Sequence, residues 1–275
     1  MILLSAFLFT VYSFSCIHEE NQQLYNSTER ITNTVSTSIK EINVPKEALA
    51  LINAYPEYVI GYKDNLLFFF DSTSIIFDDA IIKTEQELLN NADINDMFIY
   101  TYPKGATLPN FKPKYDPGRI RNELFFKKIY GSSKEEVINN LVEVNWCPKL
   151  VGKKIKITSV NNIHLKIKKI CQELDEHPEF LPYIESLGGT FNWRKIKDTD
   201  RLSMHSFGLA IDLNVSKANY WKWDVKNNNK ESILNYRNKF PKEIILIFEK
   251  HGFIWGGKWK HYDTMHFEYR PELLI

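Results

Sequence analysis

The chain has 275 residues, 44% hydrophobic and 25% charged, with 35 Lys and Arg against 34 Asp and Glu for a formal net charge of +1. That length supports one large domain or two modest ones with a packed core. The near-cancelling, dispersed charge argues against a nucleic-acid partner or binding to an anionic membrane by charge alone, and three cysteines argue against a disulfide-stapled scaffold.

Residues 1–16, "MILLSAFLFTVYSFSC", form an apolar run that is short for a transmembrane helix of about 20 residues and suits an export signal. The Ser-Phe-Ser before Cys16 looks like a loose lipoprotein cleavage site. Cys16 is then either the lipidated first residue, attaching the chain to a membrane, or a merely processed or buried cysteine. Residues 17–44, rich in Asn, Thr, Ser and Glu, read as a solvated tether. With Cys16 lipidated, Cys147 and Cys171 remain, either bridged in an oxidising compartment or free and buried.

Residues 45–113 predict a small α/β region. "PKEALALINAYP" is a helix opened by Pro45, and "YVIGYKDNLLFFFDS" a hairpin turning at Lys63-Asp64-Asn65. "TEQELLNNADINDMF" is a helix with Thr84 and Glu87 in capping-box spacing. The run Phe68-Phe69-Phe70 reads as core, and the region carries no nameable chemistry. A Pro/Gly-dense passage at residues 102–118 marks a boundary. Beyond it, "RIRNELFFKKIYG" is helical, and "SSKEEVINNLVEV" places Ser133 and Glu136 in capping-box spacing before an apolar stripe. "KIKITSV" alternates as a strand, "IHLKIKKICQELDEH" returns to a helical period, and "GGTFNWRKI" is a short strand or loop. Without regular βαβ alternation or internal repeats, the class is α+β.

Two strands then carry the chemistry. In "RLSMHSFGLAIDLNV", Leu209, Ile211, Leu213 and Val215 alternate with Ala210, Asp212 and Asn214. In "DTMHFEYRPE", Met265, Phe267 and Tyr269 alternate with His266, Glu268 and Arg270. Strands burying their greasy faces could present Asp212 and His266 together. Gly208 permits the unusual torsion or close approach that swings His205 back toward them. Two imidazoles and a carboxylate make a three-ligand set for one Zn2+ ion with a fourth position open, as catalytic zinc uses. Hydrolysis at zinc also needs a base to pass a proton to the leaving amine. Asp263, three residues before His266, is placed to be that base without being a ligand. His261 is the rival third ligand. Glu268 shares the face of His266, and His251 reads as a helix end where a cation is welcome. Five of the six tryptophans lie between Trp193 and Trp259, mostly as core, although Trp255-Gly256-Gly257 could line a cleft.

"SMHSFGLAID" matches the S-x-H-x-x-G-x-A-x-D signature of the zinc D-Ala-D-Ala carboxypeptidase and dipeptidase family, which includes vancomycin-resistance enzymes and phage L-Ala-D-Glu endolysins, and "DTMHFE" is similar to its acid-x-x-His element. The resemblance runs from about Asp116 to the C-terminus, a domain of residues 114–275. It implies the compact α+β fold of the Hedgehog signalling domain and DD-peptidases: an antiparallel sheet with packed helices, one zinc ion, and cleavage of peptidoglycan stem peptides. It implies His205, Asp212 and His266 as zinc ligands, Asp263 as acid/base and Ser203 as an orienting residue. It also implies an upstream arginine steadying charge on the scissile carbonyl. Arg194 in "FNWRKI" is the nearest candidate, though its spacing to Ser203 is short, and Arg201 is a weaker one that reads as a surface charge. D-Ala-D-Ala carboxypeptidase and L-Ala-D-Glu endopeptidase remain unseparated, because no residue is assignable to a pocket for a terminal carboxylate. The rival class is a non-catalytic zinc-bearing cell-wall-binding module on the same fold, against which Asp263 speaks. A helper lipoprotein working through its N-terminal region is the third. The expected location is exported, in the periplasm or cell envelope.

Overall fold

The structure is a computed structural model that describes residues 44–105, 115–197, 199–228 and 235–274. The expected export segment, Cys16 and nearly all of the tether lie outside the described residues.

Helix α1, Lys46–Ala54, follows Pro45 as expected and buries Ala48, Ala50 and Leu51. Strands β1, Val59–Lys63, and β2, Leu66–Phe69, form the hairpin. Its turn residues Asp64 and Asn65 sit at φ +50° and +63°, the left-handed pair that matches strand twist. Strand β3, Ser74–Ile76, completes this antiparallel sheet. Alternation divides the Phe run: Phe69 is buried while Phe70 is 77% exposed, so only part of it is core.

Helix α2, Glu85–Asn90, has the full capping box between Thr84 and Glu87. It stops sooner than its pattern suggested, and Asn95–Phe98 form a separate 3-10 turn. Helix α3, Glu123–Tyr130, starts after Arg119 and Arg121 because the Asn122 side chain accepts from the N–H of Phe125. Helix α4, Lys134–Asn139, has half a capping box: Ser133 accepts from Glu136 N–H, but the Glu136 carboxylate turns to Ser132. The apolar stripe after it is strand β4, Leu141–Trp146, paired antiparallel with β5, Lys153–Thr158. Helix α5, Ile163–Leu174, packs on this hairpin. After the short α6, Leu181–Ile184, come β6, Ala210–Asp212, and α7, Trp221–Asn228. Helix α8, Lys242–Lys250, β7, Phe253–Trp255, and β8, His266–Tyr269, close the chain. The last sheet is antiparallel in the order β6-β8-β7, with α8 against β7 and α5. Mixed helices and antiparallel sheets make the molecule α+β.

Residues on both sides of the expected boundary belong to one compact unit, Val44–Ile275. Ala48, Phe69, Phe125, Ile167, Leu213 and Phe267 share one core. Polar links cross the same divide: Tyr55 donates to Glu272 at 2.8 Å, and Tyr102 donates to Glu249 at 2.7 Å. The passage at 102–118 is therefore no division between cores, because the first layer buries its apolar face on the second. Cys147 and Cys171 are both buried free thiols. No helix among the described residues is long and apolar enough to cross a membrane.

Gly208 ends the 3-10 turn Met204–Phe207 at φ +66°. A Cβ there would lie 2.6 Å from Leu141 Cδ2 and 3.3 Å from the Thr158 nitrogen, so both torsion and space demand glycine. Gly208→Ala is expected to lower unfolding free energy by about 2 kcal/mol or more, measured by denaturant titration. An unchanged midpoint would contradict this.

Candidate functional site

Sheet register builds the site. Asp212 on β6 lies directly opposite His266 on β8. The backbone N–H and C=O of Asp212 are bonded to Gly189 and Gly188 on its other side, each at 2.8 Å. Asp212 and His266 are thus a non-hydrogen-bonded pair, the kind in which facing side chains come closest. His205 arrives from the 3-10 turn that Gly208 terminates.

The structure brings all three predicted ligands together. His205 Nε2 lies 3.1 Å from Asp212 Oδ1, His266 Nδ1 lies 3.0 Å from the same oxygen, and the two nitrogens are 3.2 Å apart. Donors bound at about 2.0–2.1 Å around a tetrahedral zinc would be about 3.3 Å apart. The triangle is therefore of the right size and donor chemistry to hold one metal ion.

The groups behind the donors fix their roles. His205 Nδ1 is 2.5 Å from the Thr190 carbonyl, which puts the ring proton there and leaves Nε2 as a donor to a metal. His266 Nε2 lies 2.9 Å from Glu268 Oε2, which likewise leaves Nδ1 toward the triangle. Glu268 is buried and also bonds Arg270 at 3.1 Å. Burial raises its pKa, but the His266 hydrogen bond and the Arg121 and Arg270 charges prevail and bring it to about 2. Burial lowers that of His266, but Asp212 and Glu268 raise it to about 10. Burial works upward on Asp212 too, yet His205 and His266 hold it well below the usual carboxylate range. Replacing Glu268 by Gln is expected to weaken metal affinity about 10–100-fold, measured by competition with a chelator. Unaltered affinity would remove Glu268 from this role.

Asp263 lines the same cleft of about 360 Å3 as His205, Asp212 and His266. Its turn is held by backbone bonds from Asp263 to Gly256 at 3.0 Å and from His266 to Asp263 at 3.2 Å. Its Oδ1 is buried with no hydrogen-bond partner among the described residues. Burial first, and the Asp212 carboxylate second, push its pKa up to about 7. An acid poised there can both take and return a proton at neutral pH.

Other sequence candidates separate. Arg194 is exposed and lines the cleft, while its backbone carbonyl accepts from Ser203 N–H at 3.0 Å and Ser206 Oγ at 2.9 Å. Ser203 is buried in the cleft wall, tied to Arg194 through that backbone bond. Arg201, read as a surface charge, is half-buried instead, because its guanidinium folds back to the Arg119 carbonyl at 2.6 Å. His261 is not in the triangle; Asp116 holds its Nδ1 at 2.6 Å. His251 caps the end of α8 and pairs with Glu173 at 2.5 Å. Trp255-Gly256-Gly257 is packing rather than cleft lining. Trp255 is fully buried with its indole N–H on the Thr264 carbonyl, and a Cβ on Gly257 would lie 2.1 Å from the Trp255 ring. Trp259 and Trp221 line the cleft instead, as do Arg119 and Arg121. The two arginines carry no local motif and reach the cleft only through the fold.

Residues 197–269 match the family model described as D-alanyl-D-alanine carboxypeptidase. Over that span, about a quarter of the chain, the sequence is similar to this peptidase family. The match takes in all three donors and Asp263, while Arg194 lies just before it. Neither the curated proteins nor the solved structures include a match to this chain.

Proposed function

We propose that this chain is an exported, zinc-dependent peptidase that hydrolyses peptidoglycan stem peptides. The domain would have the Hedgehog and DD-peptidase type of fold, with membrane attachment through a lipidated Cys16. The observation that carries the reading is the triangle of His205 Nε2, Asp212 Oδ1 and His266 Nδ1 beside a desolvated carboxyl in one cleft. The family match supports it from the sequence side.

His205, Asp212 and His266 would hold the ion, which when bound supplies Lewis acidity toward water and the scissile carbonyl. The chain's own groups do the rest. Thr190 and Glu268 hold the imidazoles in their metal-binding tautomers. Asp263 takes the proton from the attacking water and delivers it to the leaving amine, and its partnerless Oδ1 is the atom suited to that transfer. Arg194, at the cleft edge, supplies positive charge for the developing oxyanion.

Mass spectrometry of products from a defined muropeptide digest tests this reading. Release of D-Ala marks a D-Ala-D-Ala carboxypeptidase, and a cut between L-Ala and D-Glu marks an endopeptidase. Intact muropeptides after incubation with the zinc-loaded protein would overturn it.

A further inference from the structure

The charge around the cleft does not balance locally. Arg121 lines both the cleft and an adjoining cavity of about 530 Å3, and Arg201 lines that cavity. The side chain of Arg121 is 11% exposed, and its nearest carboxylate oxygen, on Glu268, is 3.7 Å away. Both Glu268 oxygens are already engaged, one by His266 at 2.9 Å and the other by Arg270 at 3.1 Å. Arg201 has no carboxylate within ion-pair distance among the described residues; its guanidinium donates to the Arg119 carbonyl. Glu123 and Asp200 also line the cavity, but Glu123 is held by Lys127 at 2.6 Å and by the Leu202 N–H at 2.8 Å, and Asp200 is held by Lys195 at 2.7 Å. Arg119 is paired with Asp116 at 3.1 Å.

Two guanidiniums thus share a poorly hydrated wall: Arg201 has no ion-pair partner among the described residues, and Arg121 shares Glu268 with His266 and Arg270. Burial and the neighbouring Arg121 and Arg119 charges push Arg201 down to about 9, still cationic at neutral pH. Like charges held this way repel one another in a low dielectric, and a bound anion removes that cost. The planar fork of a guanidinium matches a carboxylate through paired N–H bonds.

We propose that Arg121 and Arg201 form a carboxylate subsite opening off the metal cleft, which binds a free carboxylate of the substrate peptide. The proposal rests on the peptidase reading and adds what that reading lacks: a cationic pocket that discriminates among stem peptides. Arg121 joins the two spaces, since it lines both of them. A peptide reacting beside His266 therefore has its acidic group within reach of the arginines.

The test uses a synthetic stem pentapeptide in three forms: free acid, C-terminal amide, and amide at the glutamate α-carboxyl. Binding is measured by calorimetry on the zinc-loaded protein in the Asp263→Ala background, so that the peptide survives. Cleavage is followed in parallel with Asp263 intact. One of the two amides is expected to bind about 10–100-fold more weakly than the free acid, the worth of a charge-assisted hydrogen bond. Arg201→Gln should abolish that difference by weakening the free acid alone, and Arg201→Lys, which keeps the charge, should restore part of it. Equal binding of all three forms, or discrimination that survives Arg201→Gln in a protein with unchanged melting, overturns the subsite. Cleavage without discrimination overturns the subsite and leaves the peptidase standing. Discrimination in binding with no cleavage of any form supports the subsite and overturns the peptidase.

Discussion

Replacing Asp263 by Ala is expected to lower stem-peptide turnover by about 100- to 10,000-fold, the usual worth of a positioned acid/base, with zinc content unchanged. Zinc stays because the side chain is not among the three donors. The bonds shaping the turn run through the Asp263 backbone, which Ala preserves. Stability should hold or rise, since the substitution removes a buried carboxyl oxygen with no hydrogen-bond partner. Low activity, full zinc and undiminished melting temperature together identify a group kept for chemistry at a cost in stability. Measurements of product release, metal content and thermal unfolding on one preparation suffice. Full activity in the variant would instead remove Asp263 from the acid/base role, whereas a wild type that holds zinc but releases nothing from any muropeptide would favour the non-catalytic zinc-bearing module.

Replacing His205 by Ala should abolish both metal retention and hydrolysis. Three side chains would hold the ion, and losing one leaves a pair whose affinity is expected to fall by at least about 100-fold. The Asp212 carboxylate then loses the Nε2 partner at 3.1 Å that helps hold its charge in a buried setting. The surrounding turn survives, because the bonds from Asn192 and Gly208 go to the His205 carbonyl rather than its ring. Metal analysis after dialysis, alongside circular dichroism, separates loss of the ion from loss of fold. A variant that retains one equivalent of zinc would show that the triangle is not the metal site.

Most of the local structure was legible because its causes are local. The Asp64-Asn65 turn, the Thr84–Glu87 box and the alternation at His266–Tyr269 each depend on residues a few positions apart. The same locality explains the misplaced ends. Leu141 to Val144 continue an apolar pattern after α4, yet they pair with Val151's successors in β5 and become a strand. Trp255-Gly256-Gly257 looked like room for a substrate, but the space above Gly257 is filled by the Trp255 ring.

By itself the sequence pointed to His205, Asp212 and His266 as one set, to the spacing that sets Asp263 apart from it, and to the glycine beside His205. These are properties of residue type and of short backbone geometry. Only the tertiary structure decided that Asp212 and His266 face each other across a strand pair, that Glu268 stands behind His266, that Arg121 reaches the cleft, and that Arg201 lines the adjoining cavity with no ion-pair partner among the described residues. Those facts depend on register, burial and charge between segments far apart in the chain. No window of sequence contains the two strands, the buried wall and the missing counter-charge at once.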